Sequence, residues 1–272
     1  MTAQPTKAAA RKAPERPVAL ITGATRGIGL AVARDLGGRG HRVFLCARTG
    51  AAVTRTVAKL RAEGLTVDGM VADVRKRADV AALVASAVAT YGAPVSILVN
   101  NAGRSGGGAT ASITDELWHE VIDTNLNGVF MLTREVLNAG GLSEASWGRI
   151  VNIASTAGKQ GVLLGAPYSA SKHAVVGFTK ALGKELAPTG VTVNAVCPGY
   201  VETPMAARVR SGYAAAWGTT EEYVQGQFEA QIPLGRYSTA EEVAGFVGYL
   251  TTDLASSVTA QALNVCGGLG NF

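Results

Sequence analysis

The stretch Val18-Ala19-Leu20-Ile21-Thr22-Gly23-Ala24-Thr25-Arg26-Gly27-Ile28-Gly29-Leu30 decides the fold. Its first five residues are an apolar run with β-branched side chains, which reads as a buried strand stopped by Gly23. From Leu30 to Leu36 apolar residues recur at helical spacing, and Gly37, Gly38 and Gly40 close that segment. Glycines between a strand and a helix allow a tight turn and let backbone N–H groups approach a pyrophosphate at the helix N-terminus. Thr22, Gly23, Thr25, Arg26, Gly27, Ile28 and Gly29 are therefore candidate phosphate ligands. A plain left-handed turn would need the same glycines, so the rest of the chain must choose between the two.

Outward from this unit, apolar strand-like segments recur at 43–46, 66–71, 97–99, 150–153 and 191–196. Helical patterns fill the gaps at 51–63, 78–91, 115–138 and 167–187, with Thr114 as the cap of the third. Strands alternating with helices imply a parallel sheet covered on both faces, and right-handed crossovers make it doubly wound. A helix at 240–250 and a strand at 260–265 complete a Rossmann-type α/β fold of about seven strands. The pattern changes at 202–237, where short helices are expected at 205–209, 213–217 and 223–228. Excursions of this kind beyond strand ends form lids and substrate pockets.

With 272 residues, 47% of them hydrophobic, the chain can bury one large core, and a single domain is expected over 18–272. No apolar run reaches the roughly 18 residues of a membrane helix. Residues 1–17 hold Lys7, Arg11, Lys12 and Arg16 against Glu15 and lack an apolar signal core, so they read as a disordered basic tail. That tail carries three of the five net positive charges, which leaves a near-neutral body and removes the case for nucleic-acid binding. Cys46, Cys197 and Cys266 are far apart and read as small core residues of a reducing, cytoplasmic protein. His41, His119 and His173 lack metal-ligand spacing, so no metal is expected.

Two further features carry chemistry. An NAD site commonly places Asp or Glu about twenty residues past the glycine loop, on the ribose 2′-hydroxyl. Cys46-Ala47-Arg48-Thr49 has no acid there; Arg48 can pair with a 2′-phosphate and Arg26 adds a second cation, so NADPH is favoured over NADH. Tyr168 and Lys172 stand four apart on a helix and share one face. An ammonium beside a phenol lowers the phenol pKa from about 10, into the range useful for proton transfer. The spacing alone is a weak signal, more often a structural pair or plain surface spacing.

Joined to Asp73-Val74, Asn100-Asn101-Ala102-Gly103, Asn125, Ser155 and Pro198-Gly199, these residues resemble the short-chain dehydrogenase/reductase family in kind and order. The resemblance runs from Val18 to the C-terminus. It implies that Tyr168 gives its proton to a carbonyl oxygen and that Ser155 hydrogen-bonds that oxygen, two donors where negative charge develops. It also implies that Lys172 lowers the Tyr168 pKa and holds the nicotinamide ribose, while Asn125 steadies a water relaying protons to Lys172. Asp73 and Val74 would bind adenine, and Asn101, Ala102 and Gly103 would line the cofactor cleft. Pro198, Gly199, Val201 and Thr203 would meet the carboxamide and phosphates. Singly, Asn125 could just bond backbone, Ser155 end its strand and Asp73 cap a helix.

Within that family, Arg104-Ser105-Gly106-Gly107-Gly108, Lys159-Gln160-Gly161, the run from Cys197 to Met205 and the C-terminal 263–272 are similar to the aromatic-polyketide ketoreductases. That subfamily uses NADPH to reduce one ketone, usually C9, of a polyketide held on an acyl carrier protein, giving a secondary alcohol. The resemblance also implies a homotetramer, with 269–272 as an interface. Arg104, Ser105, Gly106, Gly107, Gln160, Met205 and Trp217, with Tyr213, are the candidate substrate residues. Arg104 could receive a phosphopantetheine phosphate or be a solvated loop cation, and Trp217 could line a pocket or pack in the core. Ser105 replaces the relatives' proline, freeing a φ that Pro would fix and adding a hydroxyl. Two alternatives remain open: a 3-oxoacyl-[acyl-carrier-protein] reductase of fatty-acid synthesis, and a nucleotide-binding regulator on the same fold, against which Ser155, Tyr168 and Lys172 count.

Overall fold

The computed structural model describes residues 12–270. Seven strands make one sheet: β1 (Val18–Thr22), β2 (Arg42–Ala47), β3 (Val67–Val71), β4 (Val95–Asn100), β5 (Gly148–Ile153), β6 (Val191–Pro198) and β7 (Ala262–Val265). All pairings are parallel and the order is β3-β2-β1-β4-β5-β6-β7. Successive residues of each strand point to opposite faces. Ala19, Ile21, Leu45, Val99 and Val151 therefore pack with α1 (Gly27–Gly38), α2 (Gly50–Ala62) and α9 (Ala240–Leu250). Leu20, Phe44, Leu98 and Ile150 pack on the other side with α3 (Arg77–Tyr91), α5 (Gly128–Asn138) and α6 (Ala166–Leu186). Coverage of both faces is why the strands are apolar throughout instead of alternating. The chain reverses its direction of travel across the sheet between β1 and β4, the place where doubly wound sheets form a crevice outside the C-terminal strand ends.

Four expectations change. α1 starts at Gly27, before the apolar periodicity begins. The stretch expected as one helix over 115–138 is α4 (Asp115–Ile122), a π turn at Asp123–Asn127, and then α5; Thr114 caps α4 by accepting from the Leu117 N–H at 3.2 Å. Residues 205–217, expected as two short helices, form a single α7 (Pro204–Trp217) that ends at Gly218 with φ +64, and α8 (Glu221–Glu229) follows. Gly212 interrupts the apolar pattern without a cost large enough to break a helix whose inner face packs on Tyr200 and Phe228.

The boundary at Val18 also moves. The Ala13 N–H donates to Asp253 at 3.3 Å, Arg16 donates to the Thr66 hydroxyl at 3.1 Å, and Arg42 grips the Arg16 carbonyl at 3.0 and 2.8 Å. These bonds join the last residues of the expected tail to the body. Residues 1–11 of that tail, and Asn271 and Phe272 of the expected interface, lie outside the described residues. All three cysteines are buried free thiols, as their spacing suggested. Among the described residues no helix is long and apolar enough to cross a membrane.

Candidate active site

Pro167 is the second residue of α6, and its missing N–H costs nothing in a first turn. Tyr168 follows, partly open to the cleft, and Lys172 lies one turn on and buried. The Lys172 ammonium donates to the Ile153 carbonyl at 2.7 Å, at the end of β5, and lies 5.7 Å from the centre of the Tyr168 ring. Ser155, just beyond β5, accepts the Ala157 N–H at 3.1 Å and is hydrogen-bonded through its side chain to Tyr168. Ser155 thus both ends its strand and joins the site.

Asn125 is fully buried in the π turn. Its carboxamide accepts the Arg104 N–H at 2.9 Å and donates to the Arg104 carbonyl and the Ser171 hydroxyl, both at 3.0 Å. Ser171 in turn donates to the Tyr168 carbonyl at 2.7 Å. Sequence reasoning overlooked Ser171, although it stands inside the Tyr168–Lys172 motif.

The electrostatics differ from expectation. Burial raises the Tyr168 phenol above its ordinary value, with the Ser155 hydrogen bond pulling the other way. Burial also pushes the Lys172 ammonium down to about 8. Lys172 directs an N–H at the Ile153 carbonyl, and for Tyr168 the upward effect of burial outweighs the polar contacts around the phenol.

The crevice beside this group is laced from both strands. Thr22 Oγ1 accepts the N–H groups of Asn101 and Ala102 at 3.0 and 2.9 Å, and the Asn101 carboxamide donates to the Thr22 and Gly23 carbonyls at 2.8 and 3.2 Å. Asn101 braces the glycine loop, while Gly103 lies against Asn125 and Lys172: a Cβ there would be 3.4 Å from Asn125 Oδ1 and 3.8 Å from Lys172 Nζ. A Cβ on Gly29 would come 2.6 Å from the Gly23 carbonyl oxygen, so only glycine lets the helix start this close to the strand. Arg26 is exposed at the N-cap of α1, with Thr25 and Ile28 half-buried on either side of the turn. This cradle at a helix N-terminus fits the phosphates of a dinucleotide.

Farther along the crevice, Arg48 is exposed just past β2 and enters no ion pair among the described residues. The Asp73 carboxylate is gripped by Arg75, from Nε at 3.0 Å and Nη2 at 2.6 Å, which holds it below the usual carboxylate range. Arg75 was not singled out by sequence reasoning; a charged residue after the strand-end aspartate carries no local signal. Val74 is buried, and a Cβ on Gly128 would meet its side chain at 2.9 Å. On the opposite wall Pro198 is buried, the Gly199 N–H donates to the Val265 carbonyl at 3.1 Å, and Val201 bridges to Ser238. Thr203 caps α7, accepting the Ala206 N–H at 3.2 Å, and its γ-methyl would lie 3.2 Å from a Cβ on Gly27.

Of the expected substrate residues, Arg104 is paired with Glu120 and its Nε donates to the Ser105 carbonyl at 3.3 Å. Gly106 and Gly107 have packing roles: a Cβ at Gly106 would strike Val121 and Leu117, and one at Gly107 would strike the Leu164 carbonyl. That carbonyl accepts the Gly108 N–H at 2.8 Å, and Leu164 has φ +56, a strained value for a leucine. Gln160 is half-buried beside this turn, and Met205 is half-buried on α7. Trp217 is 41% exposed, with its ring edge-on to Tyr213 at 5.1 Å and Phe228 at 6.2 Å. The Tyr213 hydroxyl donates to the Leu163 carbonyl, tying α7 to the turn ahead of α6. Tyr200, stacked between Phe228 at 4.6 Å and Tyr237 at 5.3 Å, holds the excursion to the body.

The family model described as short chain dehydrogenase matches residues 17–214. The chain belongs to the short-chain dehydrogenase family. Among members of that family it is 69% identical over 255 residues to a Streptomyces virginiae protein whose name assigns it as ketoacyl reductase of a monensin polyketide synthase, covering 94% of this chain and 97% of that one. A 3-oxoacyl-[acyl-carrier-protein] reductase of Pseudomonas aeruginosa is 39% identical over 255 residues, covering 93% of this chain and 96% of that one. Among solved structures, a crystal structure of a variant actinorhodin polyketide ketoreductase with NADPH is similar at 58% identity and TM-score 0.92, covering 96% of this chain and all of that one. The chain is therefore an enzyme of the short-chain dehydrogenase family, with relatives in polyketide synthesis.

Proposed function

We propose that this protein is an NADPH-dependent ketoreductase that reduces one ketone, C9, of an aromatic polyketide intermediate carried by an acyl carrier protein. The observation that carries the reading is the convergence of Ser155, Tyr168, Lys172 and Asn125 at the mouth of the glycine-lined crevice. NADPH, when bound there, supplies the hydride that reduces the carbonyl carbon. The chain's own residues handle charge and proton. Tyr168, with its pKa raised, is protonated at neutral pH and is therefore a proton donor. Ser155, bonded to Tyr168, presents a second donor to the same oxygen, where negative charge develops. Lys172 holds a buried positive charge behind the phenol and anchors the nicotinamide ribose. Arg48 takes the 2′-phosphate and the glycine loop the pyrophosphate. Asp73 and Val74 flank the adenine, with Asn101, Ala102 and Gly103 on one wall and Pro198, Gly199, Val201 and Thr203 on the other.

Support for a polyketide substrate over a linear acyl chain comes from the identity gap, 58% and 69% to polyketide reductases against 39% to the 3-oxoacyl-[acyl-carrier-protein] reductase. The substrate enters between the Arg104–Gly108 loop and α7, past Gln160, Met205 and Trp217, and a carrier's phosphopantetheine phosphate takes Arg104 from Glu120. The reading is tested by incubating the protein and NADPH with the cognate carrier-bound polyketide and analysing products by mass and NMR. The expected product carries two extra hydrogens at one ring position. Identical products with and without the protein would overturn it, and faster turnover of linear 3-oxoacyl carriers than of a bicyclic ketone would transfer the assignment to fatty-acid synthesis.

A further inference from the structure

Two neighbouring strand ends carry opposite charges at the adenosine end of the crevice. The Ala72 N–H donates to the Ala47 carbonyl at 3.1 Å, and one residue past that bond the two strands deliver Arg48 and Asp73. An anion held by Arg48 therefore has a carboxylate as its neighbour, and like charges at such spacing repel strongly in a partly buried site. Arg75 removes the conflict. Its guanidinium grips both Asp73 oxygens, with Nε at 3.0 and 3.1 Å and Nη2 at 2.6 Å, while its backbone N–H donates to the same carboxylate at 3.1 Å. Both side chains are partly buried, 30% and 13% exposed, so the pair is better shielded from solvent than a surface ion pair. Asp123, in the π turn, is the other acid whose field reaches Arg75, and its carboxylate is already bonded to Asn127 at 2.7 Å.

We propose that Arg75 is a positioning residue for cofactor choice: by chelating Asp73 it keeps a bare carboxylate away from a 2′-phosphate and so maintains preference for NADPH over NADH. The inference rests on NADPH being the cofactor, as proposed above. NADH carries a neutral hydroxyl at that position, so the Asp73 charge acts on one cofactor far more than on the other. Arg48 attracts the phosphate directly; Arg75 acts by silencing its neighbour.

The test is the ratio of dissociation constants, Kd for NADH over Kd for NADPH, from nicotinamide fluorescence titration without substrate. Arg75→Gln lowers the ratio about tenfold, through weaker NADPH binding. Asp73→Asn with Arg75→Gln returns the ratio to within about threefold of the parent, since no carboxylate is left to silence. Asp73→Asn alone leaves the ratio unchanged or raises it, which keeps the proposal testable if Arg75→Gln does not fold. An unchanged ratio in Arg75→Gln, no recovery in the double variant, or a fall in Asp73→Asn overturns the role of Arg75. A parent protein that binds both cofactors equally would instead overturn the NADPH reading.

Discussion

At the scale of single residues, Tyr168 and Lys172 show burial acting in opposite directions on two neighbouring groups. The phenol is raised and the ammonium lowered to about 8, because removal from water disfavours the charged form of each. For Lys172 the folded pKa lies below the unfolded value of about 10.4. Between those values the unfolded chain holds the proton and the folded chain does not, so this residue's contribution to stability improves as pH rises through that window and is least favourable below pH 8. Lys172→Met is therefore expected to raise the melting temperature at pH 7 by about 2–4 °C while cutting turnover at least about 100-fold. Calorimetry and an NADPH-consumption assay check it; a lower melting temperature would contradict the cost assigned to the buried charge. In the unmodified protein, turnover should fall above about pH 8 as Lys172 loses its proton. Tyr168→Phe should lower turnover about 1000-fold and leave the NADPH dissociation constant unchanged, because only the proton donor is removed.

At the scale of elements, the break between α4 and α5 matters most. The 115–138 stretch keeps helical periodicity across its length; no proline or glycine lies within the π turn at Asp123–Asn127, and Gly128, directly after it, reads as an ordinary helical glycine in sequence. That extra turn aims Asn125 inward, where it satisfies both backbone groups of Arg104; π turns inside helices are frequent at functional sites. Asn125→Ala leaves those groups unpaired and should cost about 2–4 kcal/mol in urea unfolding, with a loss under about 1 kcal/mol refuting the latch. The link from α7 to Leu163 is subtler. Tyr213→Phe removes only that hydrogen bond, so KM for a bulky ketone should rise about threefold or more while NADPH binding holds. An equal change for small and bulky ketones would show that α7 does not shape the substrate side.

For the whole molecule, the sheet order places β1, β4, β5 and β6 side by side, so that residues far apart in sequence meet at one end. The charge that could have suggested nucleic-acid binding lies largely in the first seventeen residues, while the body carries paired charges such as Arg34–Glu63 and Arg236–Glu242. The tetramer implied by the family resemblance should appear in light scattering as a mass about four times the 27.8 kDa chain. A monomer at micromolar concentration would remove that expectation.

The sequence by itself determined the strand–helix alternation and the glycine cradle, and it offered Tyr168 and Lys172 by their spacing, whereas Ser155 came only with the family resemblance. Those signals are local: a period of two or 3.6, a turn that only glycine makes, a fixed spacing on one helix. The tertiary structure alone decided that Asn125 holds Arg104, that Arg75 chelates Asp73 beside Arg48, and that Tyr168 is raised instead of lowered. Pairing and desolvation depend on which atoms fill the space around a group, and those atoms come from segments that only the fold brings together.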